Sequence, residues 1–109
     1  MLIRWARPAT IDLERARSWA REGSPGAARD LVARIRGGIA RLHAHPRLGQ
    51  RLEDIPLRGE YRALLVAPHR VVYRVEPNGD ILVLRIWDTR RDPATLWPHV
   101  APERDDEAK

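Results

Sequence analysis

Cysteine and phenylalanine are absent from this 109-residue chain, methionine occurs once, and the single lysine is the last residue. Without cysteine there is no disulfide framework and no thiolate chemistry. No apolar run approaches the ~20 residues that a membrane-spanning helix needs, and no secretory signal is visible, so a cytoplasmic protein with no membrane role is expected. Also missing are a phosphate-cradling glycine loop, zinc-ligand spacing and a nucleophile elbow. His43 and His45 are two residues apart, so on a helix they point in different directions, and neither a metal nor a cofactor is expected. Asp12 and Glu14 read as charges at the start of a helix, not as a catalytic pair.

Hydrophobic residues make up 43% of the chain and charged residues 32%, a balance that suits one globular domain with a modest core. The formal net charge is +5, and 19 of the 20 basic residues are arginine, a ratio that genome composition can produce without any functional demand. The charge is unevenly spread. Residues 99–109 carry Glu103, Asp105, Asp106 and Glu107 against Arg104 and Lys109, and read as a flexible acidic tail after a single domain at 1–98. The body then holds 18 basic and 11 acidic groups, or +7, which favours a polyanion or an acidic protein as partner.

In chain order, residues 2–6 read as a first strand closed by Pro8. Thr10 then caps a helix from Ile11 to Glu22 that stops at Gly23. Leu13, Ala16 and Ala20 share one face of it, with Trp19 beside them. Ser24-Pro25 restarts the chain as cap and first helical residue. The second helix runs to about Ala44, with Ala28, Leu31, Val32, Ile35, Ile39 and Leu42 at amphipathic spacing. Gly37-Gly38 in its middle costs roughly 1 kcal/mol per glycine, which close approach to the first helix would offset. Residues 46–59 read as a loop pinned by Leu48, Leu52, Ile55 and Leu57. After the strands, Asp92-Pro93 starts a short helix through Trp97.

Residues 61–92 read as three antiparallel strands, the last two flanking Asn78-Gly79, the pair that most readily forms a two-residue type I′ turn. That turn sets Val75 opposite Leu82, Tyr73 opposite Leu84 and Val71 opposite Ile86, all on the core face. A three-residue loop at Ala67-Pro68-His69 pairs Val66 with Arg70 and sends Tyr61, Ala63 and Leu65 to the core. Arg62, Arg70, Arg74 and Arg85 then share the opposite face, with Arg90 and Arg91 just past its edge. The fold class is α+β: a small antiparallel sheet packed on an N-terminal helical hairpin, β-α-α-β-β-β with a short C-terminal helix.

The arginine face is the constellation with chemical content. Guanidinium groups are planar, permanently charged and bidentate toward phosphate, so several on one rigid face can hold an RNA backbone and stabilise charge on a scissile phosphate. Cleavage also needs a base and an acid, and arginine suits neither role. Asp88, His69 and Tyr73 are the possible acid or base groups; His69 reads as a solvated turn residue bordering the face, whereas Tyr73 points to the core. The alternative is a solvated sheet surface.

Tyr61-Arg62, Arg70-Val71-Val72-Tyr73-Arg74-Val75, Ile81 through Trp87 and Arg90-Arg91-Asp92-Pro93 resemble the RelE/ParE superfamily of bacterial type II toxins, and the order of elements agrees over nearly the whole chain. The resemblance implies a growth-inhibiting toxin of a plasmid-stabilisation type system, neutralised by a cognate antitoxin whose extended segment wraps helices and sheet. RelE-like members cut mRNA on the ribosome as mRNA interferases; ParE-like members inhibit DNA gyrase. By position, Arg62, Arg70 and Arg91 match basic catalytic or phosphate-binding groups of RelE-like nucleases. Leu64 stands where those enzymes can place a lysine, Trp97 where a catalytic tyrosine is expected, and Asp88 near where some place a histidine. These departures tilt the expected target towards gyrase. The alternatives are ribosome-dependent mRNA cleavage and a non-toxic, basic nucleic-acid-binding module.

Overall fold

The computed structural model of the chain describes residues 1–53, 55 and 58–90. Within them the order is β1 (Ile3–Trp5), α1 (Arg7–Arg21), α2 (Pro25–Ala40), β2 (Gln50–Arg51), β3 (Glu60–Val66), β4 (His69–Val75) and β5 (Ile81–Asp88), with one 3-10 turn, Arg41–His43, after α2. The strands form a sheet in the order β1-β5-β4-β3-β2. The helical hairpin packs on one face, so the α+β class expected from the sequence holds. β1 runs parallel to β5, which makes the sheet mixed, and β2 adds a strand within the segment read as loop.

Pro8 opens α1 instead of closing β1. It sits in the first turn of a helix that begins at Arg7, with Ala6 as cap residue and no side-chain cap from Thr10. The first helical turn leaves its N–H groups unpaired in any case, so proline loses nothing there. The Ala6 N–H donates to the Val83 carbonyl at 2.8 Å, and β1 passes into α1 without a loop. Asp12 therefore falls in the second turn, facing the sheet. α2 starts as expected, the Ser24 hydroxyl accepting from the Ala27 N–H at 3.0 Å. Its apolar stripe is buried at Ala28, Leu31, Ile35 and Ile39 and continues to Leu42 in the 3-10 turn. The close approach at Gly38 is to β3, not to α1. A Cβ there would lie 2.8 Å from Val66 Cγ2, whereas Gly37 faces open space.

The β4–β5 turn differs from the expected two-residue loop. The Gly79 N–H donates to the Glu76 carbonyl at 2.9 Å, and the Glu76 N–H to the Asp80 carbonyl at 2.7 Å. Pro77 presets the backbone angle of the second position of a type I turn, and Gly79 follows with φ 93°. This three-residue loop pairs Val75 with Ile81 and Tyr73 with Val83, one residue off the expected register. A bulge between Val72 and Tyr73 absorbs the offset, so Val71 meets Ile86 as expected. Val71, Tyr73, Val75, Ile81, Val83 and Ile86 thus join the helices in the main core.

The β3–β4 loop is also shorter than expected. Ala67-Pro68, joined by a cis peptide, connects Val66 directly to His69, and Arg62 pairs with Tyr73. Leu64 and Val66 face the helices, while Tyr61 belongs to a second cluster with Val72, Leu82, Leu84 and Trp87, under Leu52 and Ile55. This register turns Arg62 inward, to the helix side, instead of to the expected far face. The structure neutralises that arginine, as described below. Leu48 is largely exposed instead of pinned. Leu57, Arg91, the helix expected at 93–97 and the tail at 99–109 lie outside the described residues.

Candidate functional site

The five described arginines of the expected platform do not share one face. Arg62 lies on the helix side beside Tyr73. Its Nε donates to Glu60 at 2.7 Å and its Nη1 to the Gly49 carbonyl at 2.8 Å, so the guanidinium is spent inside the protein. Arg47 grips the same Glu60 from the other side and holds its carboxyl below the ordinary range. Arg70 and Arg74 do share the far face. Arg74 is paired with Glu76 and lies over the Tyr61 ring, whereas Arg70 is exposed between Leu65 and Trp87.

Arg85 departs furthest from expectation. The β-bulge turns it to α1, where Nε and Nη2 meet the two oxygens of Asp12 at 2.7 and 2.8 Å. Both residues are 8% exposed, and the Ile86 N–H adds a third bond to Asp12 at 3.0 Å. This buried clamp ties α1 to β5. Asp12, read from sequence as a helix-start charge, is one half of it.

Arg90 lies just beyond β5. Its Nε and Nη2 reach Asp88 at 2.9 and 2.6 Å, and its guanidinium carbon sits 5.7 Å from the centre of the Trp19 ring. Those bonds hold the Asp88 carboxyl down at about 2, so it stays ionised and engaged. Trp19 is 66% exposed, the largest apolar group at the surface among the described residues.

Trp19 and Arg90 border a groove of about 560 Å³ between the hairpin and the sheet. Ala16, Ala20, Ala27 and Leu31 give it an apolar wall of mostly small residues; Arg15, Arg34 and Arg90 give it a basic rim. At its sheet end lies His69, which is not a solvated turn residue but the first residue of β4, 8% exposed. Burial pushes its pKa below the ordinary value of 6.5, favouring the neutral ring. Tyr73, a possible proton-transfer group alongside Asp88 and His69, is fully buried. Its hydroxyl donates to the Pro46 carbonyl and accepts from the Gly49 N–H, both at 2.9 Å, and burial pushes its pKa up.

Sequence reasoning missed the groove. The helical spacing placed Trp19 beside the apolar face of α1, but only the fold shows that the small alanines below it leave the ring uncovered. Among the described residues no helix is long and apolar enough to cross a membrane, and no cluster of three or more His, Asp or Glu is arranged to hold a metal.

The model of the family described as "ParE toxin of type II toxin-antitoxin system, parDE" matches residues 3–93. A solved structure titled "Chromosomal ParDE TA system from P. aeruginosa" is similar to this chain with 26% identity and a TM-score of 0.68, over 81% of this chain and 95% of that one. No match was found among curated proteins. A basic fold with a helical hairpin on a five-stranded sheet, matched over nearly its full described length, fits this assignment: the chain belongs to the ParE toxin family of type II toxin-antitoxin systems.

Proposed function

We propose that this toxin arrests growth by binding DNA gyrase rather than by cleaving mRNA, and that its antitoxin silences it by seating an apolar, acid-bearing segment in the groove beside Trp19. The observation that carries the first part is the separation of Arg62 from Arg70. One guanidinium is consumed by Glu60 and the Gly49 carbonyl on the helix side; the other is exposed on the far face. Two such groups do not converge on one scissile phosphate. The proton-transfer candidates are no better placed, since the Tyr73 hydroxyl is engaged at both lone pair and proton, and His69 is buried and held neutral. Arg70, beside the 62% exposed Leu65, is then a target contact rather than a catalytic group.

The groove supports the second part. A large exposed tryptophan above small apolar residues is the kind of pocket that anchors an interface, and its basic rim selects acidic partners. The test adds purified toxin to translating ribosomes and, separately, to a gyrase supercoiling assay. Loss of supercoiling with mRNA intact is expected. Rapid, codon-positioned cleavage with supercoiling untouched would overturn the reading and return Arg62, Arg70 and Arg91 to a nuclease role.

A further inference from the structure

His69 is the anomaly of the groove. It lines the sheet end, yet its Nδ1 is sealed from solvent and has no hydrogen-bond partner. A buried polar atom left unpaired in a native protein is rare enough to require a reason.

The groups around it come from every packed element. α1 contributes Asp12 and Arg15, α2 contributes Arg34, and the end of β5 contributes Asp88 and Arg90. Both carboxylates are already engaged: Asp12 by Arg85 and the Ile86 N–H, Asp88 by Arg90. Arg34 spends one N–H on the Ala67 carbonyl at 2.8 Å, beside the turn that leads into His69. Burial is the main force against a proton on the imidazole; Arg90 and Arg34 add to it, while Asp88 and, more weakly, Asp12 favour the proton. Burial thus keeps the ring neutral in the free protein, and each nearby carboxylate is already paired with an arginine.

We infer that this end of the groove is a carboxylate subsite, in which an Asp or Glu side chain of the antitoxin is received by Arg34 and by the exposed edge of the His69 ring, with the sealed Nδ1 turned away from it. Apolar residues of the same segment fill the stretch between Trp19 and Leu31. The inference deepens the proposal that the groove seats the antitoxin, and rests on it. An arriving carboxylate supplies the missing negative charge, so His69 takes up one proton from solvent as the complex forms. Its pKa is then higher in the complex than in the free toxin. By linkage the complex tightens as pH falls through the complexed value and levels off below the free one.

The test uses the full-length toxin and its cognate antitoxin, purified together and then separated. The His69 ring is followed by NMR through a pH titration, free and bound. Its pKa is expected to rise by about one unit on binding, which corresponds to up to about tenfold tighter association at pH 6 than at pH 8. His69→Gln is expected to flatten that dependence, and Arg34→Ala to weaken binding several-fold at every pH. A His69 pKa that stays put or falls in the complex, together with native affinity that is flat from pH 8 to 6, overturns the subsite. The groove reading fails separately, if Trp19→Ala binds the antitoxin as tightly as the native chain does.

Discussion

Replacing Asp12 with alanine should damage this protein more than removing any exposed charge. Asp12 accepts three hydrogen bonds, two from the Arg85 guanidinium and one from the Ile86 N–H, in a site where both residues are 8% exposed. Removing one partner of a buried pair strands the other charge, at a cost of about 3–5 kcal/mol. A domain of this size holds on the order of 5–15 kcal/mol of stability in total, so the variant should lose a large fraction of it. At ~3 kcal/mol the thermal midpoint should fall by roughly 12–24 °C, taking about 4–8 °C per kcal/mol for a domain near 100 residues.

The informative assay is urea unfolding of a double-mutant cycle: native, Asp12→Ala, Arg85→Met, and both together. The double variant leaves no orphaned charge, and replacing a buried ion pair by apolar groups is often neutral. It should therefore recover much of what Asp12→Ala loses, giving a coupling energy of about 2 kcal/mol or more. If Asp12→Ala costs less than ~1 kcal/mol, or if adding Arg85→Met deepens the loss, the clamp is not what ties α1 to β5.

Five further outcomes follow from the same geometry. Arg70→Ala should change stability by no more than about 0.5–1 kcal/mol and abolish growth arrest. Arg62→Ala should cost about 1–3 kcal/mol, because it leaves Glu60 and the Gly49 carbonyl short of a donor; equal stability losses in urea would contradict the split of the two faces. Gly37→Ala should stabilise by about 0.5–1 kcal/mol, whereas Gly38→Ala should destabilise because its Cβ meets Val66 at 2.8 Å, a difference readable as thermal midpoints of opposite sign. His69 titrates below 6.5 in the folded chain because of burial, so the unfolded chain binds more protons in that window. Its contribution to stability is complete above pH 6.5 and is lost as pH falls through the folded pKa; His69→Gln should lessen that acid loss in pH-dependent unfolding. Association with the antitoxin should slow steeply as salt rises, and a rate independent of salt would count against the basic rim.

Much of the fold was legible because its signals are local. Ser24-Pro25 announces α2, the stripe from Ala28 to Leu42 marks its buried face, and β-branched runs mark β4 and β5. The errors lie where one residue admits two roles. Pro8 ends a strand or opens a helix with equal local cost, and only the Ala6 bond to Val83 across the sheet decides. Arg62 belongs on the outer face as long as no partner waits for it inside, since burying an unpaired guanidinium is costly. That argument is sound, but its premise fails once Glu60, Arg47 and Gly49 are brought around the side chain by β2, a strand of two residues with no sequence signature.

The site itself turns on one such ambiguity. Asn78-Gly79 invites a type I′ turn, but Pro77 before it favours a type I turn with glycine third, and the loop lengthens by one residue. A slip of one residue would exchange the faces of a strand, putting Val71 and Ile86 on opposite sides of the sheet. The bulge opposite Val72 and Tyr73 prevents this, restoring the register at the far end of β5. The residue just past that bulge is Arg85, and the local twist turns it from the sheet surface into the helix layer. There it meets Asp12, which is available because Pro8 started α1 four residues early. The clamp holds α1 against the end of β5, and that same end carries Asp88 and leads into Arg90, whose guanidinium lies beside the exposed Trp19 ring. A proline in a turn thus sets the wall of a groove at the other end of the sheet. Its contribution is testable at a distance: Pro77→Gly should loosen the turn, and if the chain of causes is right, hydrogen exchange should quicken at the Ile86 amide that Asp12 holds. Unchanged protection at Ile86, with faster exchange confined to residues 76–80, would show that the bulge is set by the strands themselves.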